Sequence, residues 1–188
     1  MITASRIILI GGSAGAYNLV TQILEVIPPQ VSCAICIILH RNKKYVSQIE
    51  KSLSQKYKRP IIPIIDKTPI LENNIYFAPA GYHLLVEPDF TFSLDSSEHI
   101  NYSRPSIDVF FETCAQIYKS NCTAFILSGA NSDGAHGLEV IHNFGGTTYI
   151  QDPNDAHIDT MPSAAVKCLS KKHTLSNSEI ITFFSNLN

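Results

Sequence analysis

Short, nearly uninterrupted apolar runs alternate along this chain with segments of helical spacing. Ile7-Ile8-Leu9-Ile10 is closed by Gly11-Gly12, and a continuous, mostly β-branched run of that kind predicts a strand buried on both faces, as in a parallel sheet. Residues 17–26 then set Leu19, Val20, Ile23 and Leu24 on one helical face. Pro28-Pro29 stop that helix, and residues 33–39 form a second buried strand that ends at His40. A helix over 45–57 and a short strand over 61–65 follow. Residues 74–78, 84–87 and 90–94 are brief runs separated by Pro-Ala-Gly-Tyr-His and Pro-Asp, and these predict antiparallel strands joined by turns; residues 97–103 are polar and predict a loop. Pro105, Ser106 and Asp108 open a helix that continues to Tyr118. Residues 122–129 make another central strand, with a helix after Asp133 to about Asn143, a strand over 147–151 ending at Asp152, and a helix opened by Met161-Pro162. Ser176 caps a last amphipathic helix carrying Ile180, Ile181, Phe183 and Phe184. There is no internal repeat, low-complexity tract or linker. The order of elements predicts an α/β fold of three α/β/α layers, with a doubly wound, mostly parallel sheet and an inserted antiparallel hairpin.

Composition narrows the function classes more than the fold. At 188 residues with a 45% hydrophobic and 16% charged share, folding buries roughly 70% of the unfolded surface. A formal net charge of −2 argues against nucleic acid or an acidic membrane as partner, and Lys43-Lys44 and Lys171-Lys172 are too small as clusters to reverse that. No apolar run reaches the roughly 20 residues of a spanning helix, and the N-terminus lacks the ordered regions of a signal peptide, so a cytoplasmic protein that is not membrane-embedded is expected. Five cysteines without framework spacing fit reduced thiols. Cys33-x-x-Cys36 lies inside a strand, where positions three apart face opposite sides; it reads as core, and no metal-ligand grouping emerges.

The strand ends carry the chemistry. In doubly wound sheets functional groups collect beyond the carboxyl ends of the strands, and here those ends lead to Ser13, His40, Asp133 and Asp152. Gly11-x-Ser13-x-Gly15 on a strand-to-helix turn fits the short pattern of an exposed nucleophile with helix amides beside it. Serine needs a base to take its proton, histidine titrates in the right range, and an aspartate fixes the imidazole tautomer and stabilises the imidazolium. Each residue also has a plainer reading: Ser13 as turn filler, His40 as a satisfied strand-end histidine, Asp133 as a helix cap. A dinucleotide site fits worse, because the glycine spacing is wrong and the second strand ends in His40 rather than an acid. An ordinary α/β-hydrolase elbow also fails, since those enzymes place their histidine last. The residues alone leave open whether Asp133 or Asp152 faces His40.

Taken in order and spacing, Ile10-Gly11-Gly12-Ser13-Ala14-Gly15, Leu39-His40, Tyr76-Phe77-Ala78-Pro79-Ala80-Gly81-Tyr82-His83, Arg104-Pro105-Ser106-Ile107-Asp108-Val109-Phe110-Phe111, Leu127-Ser128-Gly129-Ala130-Asn131-Ser132-Asp133-Gly134-Ala135-His136-Gly137 and Gln151-Asp152 with Met161-Pro162 resemble the catalytic domain of the chemotaxis receptor methylesterases, the CheB family. The resemblance runs from about Ile7 to Val166 and implies that residues 1–188 form one such catalytic domain. It implies hydrolysis of glutamate methyl esters on the cytoplasmic domain of methyl-accepting chemotaxis receptors, with glutamine deamidation as a companion activity and no cofactor. It assigns Ser13 as nucleophile, His40 as base then acid, and Asp133 as the orienting carboxylate. The amides of Ala14 and Ala130 are the expected oxyanion donors, and His83 and Arg104 are expected to line the substrate groove. The chain departs from the family pattern at Ala14, where threonine is usual, at Ala16, where glycine is common, and at Ala130, where the family's Gly-Met-Gly-Asn-Asp run has methionine.

The best-known members carry a phosphorylatable receiver domain before the catalytic one, and this chain begins at the catalytic strand. That implies either a stand-alone esterase, without control by phosphorylation within the chain, or a piece of something longer. A contrasting expectation is a non-catalytic signalling module that keeps the fold and binds a receptor or other partner. A small-molecule esterase is a third.

Overall fold

The computed structural model describes residues 2–41, 49–100, 103–169 and 173–188. Both lysine pairs, the first part of the helix expected over 45–57 and part of the 97–103 loop lie outside the described residues. The strands are β1 (Ile7–Gly12), β2 (Ala34–Leu39), β3 (Ile61–Pro63), β4 (Ile75–Phe77), β5 (His83–Val86), β6 (Phe92–Asp95), β7 (Cys122–Ile126), β8 (Thr147–Gln151) and β9 (Thr174–Leu175). The helices are α1 (Ala16–Val26), α2 (Ile49–Tyr57), α3 (Ile107–Tyr118), α4 (Ala135–Asn143), α5 (Thr160–Cys168) and α6 (Asn177–Ser185). Among the described residues the main sheet has the order β3-β4-β2-β1-β7-β8-β9, every pairing in it parallel, and β5-β6 form a separate antiparallel pair.

The pleat distributes the apolar runs between two cores. Ile7, Leu9, Ala34, Cys36, Ile38, Ala124 and Ile126 face one side, where Phe110, Phe111 and Cys114 of α3, Leu138 and Ile141 of α4, Met161 of α5, and Leu84 and Phe92 of the hairpin meet them. Ile8, Ile10, Ile35, Ile37 and Phe125 face the other, against Leu19, Val20 and Ile23 of α1, Leu53 of α2 and Phe184 of α6. Two apolar faces on each central strand require helices on both sides, which is why β1 and β2 read as unbroken hydrophobic runs. Cys33 and Cys36 are buried free thiols that fall into opposite cores.

Two elements depart from the pattern read along the chain. The stretch around Ile75 is not part of an antiparallel set: β4 enters the main sheet parallel to β2 and β3. All three of its residues are buried, so alternation has nothing to act on and a three-residue run does not reveal its direction. The last strand, β9, is two residues long, too short to register as a periodic segment.

The chain leaves β1 through α1 toward β2 on one side, whereas β7 and β8 lie on the other. The carboxyl ends of β1 and β7 therefore flank a point where successive connections diverge, which is where such sheets open a crevice. No helix among the described residues is long and apolar enough to cross a membrane.

Candidate active site

Ser13 follows directly on β1, and the local sequence fixes its turn. A Cβ on Gly12 would lie 2.7 Å from the Cβ of Ala16, so only glycine lets α1 fold this tightly onto the strand end. Gly15 adopts φ +86°, the left-handed region that glycine occupies without strain. The Ser13 amide donates to Ser128 O at 2.9 Å, tying the turn to the end of β7, and the Ser13 carbonyl accepts from Ala16 N at 3.1 Å.

His40 is placed by the neighbouring strand. The β1–β2 register pairs Gly12 with Leu39, and His40 N donates to Gly12 O at 3.2 Å. Ser13 and His40 thus leave adjacent parallel strands at the same level. Asp133 arrives from the other side, on the loop between β7 and α4, and its carboxylate meets the imidazole: His40 Nε2 lies 2.8 Å from Asp133 Oδ2.

Asp133 is fully buried, while the His40 side chain keeps 14% exposure. The carboxylate is supplied with donors on both oxygens. Oδ1 accepts from the Ser106 hydroxyl at 2.8 Å and Asp108 N at 3.1 Å, and Oδ2 accepts from Ile107 N at 2.7 Å as well as from His40. Ser106 is the N-cap of α3, so Asp133 sits where that helix presents its unpaired amides and the positive end of its dipole. It does not cap α4, whose N-cap is Gly134 without a side-chain bond. Burial pushes the Asp133 carboxyl up, but the hydrogen bonds from His40, Ile107 and Asp108 outweigh it and hold the group below the usual carboxylate range. An ionised carboxylate only accepts, so His40 Nε2 is the donor in this pair.

Asp152 is not part of this arrangement. Its carboxylate accepts from the backbone and side-chain nitrogens of Asn154, both at 2.9 Å, and so closes the turn after β8. Ala14 and Ala130 are exposed on the loops that follow β1 and β7, flanking the crevice. His83 is a correction to the groove expected from the sequence. It is 1% exposed, with Nε2 on Glu98 O at 2.8 Å and Nδ1 accepting from Ser106 N at 3.2 Å. The ring is inside because β5 packs against α3, and it braces the residue that braces Asp133. Arg104 is likewise engaged locally: its Nη1 donates to Ser96 O at 2.6 Å and also to Ser97 O, which holds the segment after β6.

Two contributors escaped the sequence reading. Ser106 was legible as a helix cap, but the partner of its hydroxyl proton, 27 residues on, leaves no local signal. Ser128, two residues beyond β7, looks like any small core residue, yet its carbonyl and hydroxyl reach the Ser13 turn while its amide bonds Gln151.

The CheB methylesterase family profile matches residues 8–184. A relative from Leptospira interrogans serogroup Icterohaemorrhagiae serovar copenhageni is 39% identical over 180 residues, 96% of this chain and 93% of its own. The Chromohalobacter salexigens protein named protein-glutamate methylesterase/protein-glutamine glutaminase is 27% identical over 183 residues, 96% of this chain but 51% of that protein. A similarly named protein of Symbiobacterium thermophilum is 25% identical, covering 90% of this chain and 47% of its own length. This chain therefore spans about half the length of those two relatives. The fold matches the crystal structure of the Thermotoga maritima CheB methylesterase catalytic domain with a TM-score of 0.87 at 24% identity, over 96% of this chain and 97% of that one. A profile match over nearly the whole length, together with a 39% identical relative that it covers almost end to end, carries the conclusion that this chain belongs to the CheB methylesterase family.

Proposed function

We propose that residues 1–188 act as one catalytic domain that hydrolyses glutamate methyl esters on the cytoplasmic part of methyl-accepting chemotaxis receptors, and amides of selected glutamines by the same route. In this reading the protein works in the cytoplasm, with Ser13 as nucleophile, His40 as base and acid, and Asp133 as its orienting partner. The observation that carries it is the 2.8 Å His40–Asp133 pair at the strand level where Ser13 emerges, in a chain of this family.

With Nε2–H given to Asp133, His40 Nδ1 takes the proton from Ser13 Oγ as that oxygen attacks the ester carbonyl. The oxyanion of the tetrahedral intermediate is received by the amides of Ala14 and Ala130. Collapse breaks the bond to the methoxy oxygen, the imidazolium supplies its proton, and methanol leaves an acyl-Ser13. Water then gives its proton to Nδ1 while its oxygen attacks the acyl carbon. The second collapse returns the proton to Ser13 Oγ and frees the glutamate side chain. With a glutamine the leaving group is ammonia and the sequence is otherwise the same. Asp133 stays ionised throughout and balances the imidazolium.

The test is methanol release from a methylated chemoreceptor cytoplasmic fragment, comparing the intact chain with Ser13→Ala. Loss of a triad nucleophile costs on the order of 10⁶-fold in kcat by the subtilisin precedent. A folded protein that neither releases methanol nor takes up a serine-reactive phosphonate at Ser13 would overturn the enzyme reading and leave a binding module.

A further inference from the structure

Ser128 lies two residues beyond β7, is fully buried, and joins segments far apart in sequence. Its amide donates to Gln151 Oε1 at 2.7 Å, and Gln151 is held in turn by Asn177 Oδ1 at 2.7 Å. Its carbonyl accepts from Ser13 N. Its single hydroxyl proton is shared between Ala14 O at 2.8 Å, the shorter contact, and Ile158 O at 3.1 Å, and the hydroxyl oxygen accepts from Ile158 N at 2.9 Å.

These bonds bracket the peptide that matters. The Gly12–Ser13 peptide is held through its N–H by Ser128 O, and the Ala14–Gly15 peptide is held through its C=O by Ser128 Oγ. The Ser13–Ala14 peptide between them carries the Ala14 N–H, and its own carbonyl is taken by Ala16 N. With both neighbours tied to one residue and its own carbonyl bonded to Ala16 N, the middle peptide has little freedom to rotate, which restricts the direction of the Ala14 N–H. The fit is close: a Cβ on Gly15 would lie 2.6 Å from Ser128 Oγ.

We infer that Ser128 is a positioning residue for the reaction at Ser13, clamping the turn so that the nucleophile and the Ala14 amide keep their mutual geometry. The inference rests on the esterase reading above. It assigns Ser128 no contact with substrate; its hydroxyl acts through the Ala14 carbonyl.

Displacement of a reacting group by about 1 Å costs roughly 10²-fold in rate, and loss of one oxyanion donor about 10²- to 10³-fold. Ser128→Ala frees one end of the clamp and keeps the Ser128 carbonyl, so kcat for methanol release should fall by roughly 10- to 100-fold. KM should stay within about threefold, since uniform substrate binding is untouched. Phosphonate labelling separates positioning from damage. A clamp defect slows the labelling rate while the labelled fraction at completion stays equal to that of the wild type; a folding defect lowers the fraction instead. Ser128→Cys, which keeps the shape and weakens the donor, serves if the alanine variant does not fold, with a smaller fall in the same rate. A labelling rate and kcat unchanged in either folded variant would overturn the inference while Ser13-dependent turnover of the wild type upheld the esterase. No Ser13-dependent turnover in the wild type would remove both.

Discussion

Asp133→Asn isolates the charge of the proposed orienting carboxylate from its shape. The two carboxylate oxygens take four donors, and asparagine replaces one acceptor by an NH₂. If the NH₂ takes the Oδ2 place it faces Ile107 N–H at the shortest contact, 2.7 Å, and forces His40 to the other tautomer. If it takes the Oδ1 place it faces Asp108 N–H at 3.1 Å and the Ser106 hydroxyl, which can rotate and accept. The second orientation is cheaper, because it sets one donor against one backbone N–H at the longer distance. Asparagine should therefore keep His40 Nε2–H bonded to its carbonyl and leave Nδ1 as the base. One buried N–H without an acceptor costs about 1–3 kcal/mol of stability.

What the variant loses in catalysis is the counter-charge to the imidazolium. At the 2.8 Å separation and an effective dielectric of about 20, Coulomb's law bounds that attraction at about 6 kcal/mol. The surviving amide carbonyl retains part of it as a hydrogen bond. A net loss of about 4 kcal/mol corresponds to about 10³-fold in kcat, less than the roughly 10⁴-fold seen where the tautomer is lost as well. Methanol release at saturating receptor fragment measures it, with Asp152→Asn as the control that should leave kcat unchanged, because the Asp152 carboxylate closes the turn after β8. Turnover of the Asp133 variant within about tenfold of wild type, or an equal fall in the Asp152 variant, would refute the reasoning. Stability gives a second reading with a definite sign. A carboxyl held below its unfolded pKa stabilises the fold at neutral pH and loses that contribution as acid protonates it, so the stability gap between wild type and Asp133→Asn should close as pH falls through the folded value.

The neighbouring acid should show the opposite slope. Burial, with the Asp133 charge adding to it, pushes Asp108 up to about 6 against the pull of the Gly137 amide; a raised carboxyl is held protonated by the fold, so stability falls as pH rises from near 4 through 6. Urea midpoints for Asp108→Asn should lack that fall and gain up to ~3 kcal/mol on wild type between pH 4 and pH 8, and parallel midpoints at the two pH values would disprove it. Gly15→Ala and Gly145→Ala share a left-handed backbone, φ +86° and +85°, and so a common strain of about 1–2 kcal/mol. Only the first adds a collision, 2.6 Å from Ser128 Oγ and 2.7 Å from His157 Cβ, whereas the nearest atom to a Cβ at Gly145 lies 3.8 Å away. Thermal melts should show both variants weakened, with phosphonate labelling of Ser13 slowed at least tenfold in Gly15→Ala and unchanged in Gly145→Ala; equal labelling rates would break the argument.

The legible parts of this protein are those whose cause is local. β1, β2 and β7 declare themselves because a strand buried on both faces must be apolar at every position, and Ser13, His40 and Asp133 stood out as candidates because a strand end is a place that a sequence marks. Direction and support are not local. β4 gives no sign of running parallel, since its partner β2 is set by a crossover and not by its own three residues. The residues alone could not tell Asp133 from Asp152; the family resemblance favoured Asp133, and the loop after β7 brings its carboxylate to His40 and to the head of α3. The same applies to His83, which the family resemblance placed along the substrate groove, while the packing of β5 against α3 turns the ring inward onto Ser106. The groups that hold the site, Ser106 under Asp133 and Ser128 under Ser13, come from the segment entering α3 and from the end of β7, each far in sequence from the residue it serves. A parallel sheet imposes this, because neighbouring strand ends are always separated by a whole crossover. A catalytic group in such a fold can be read from its own turn, and the groups that hold it become visible only once the strand order is known.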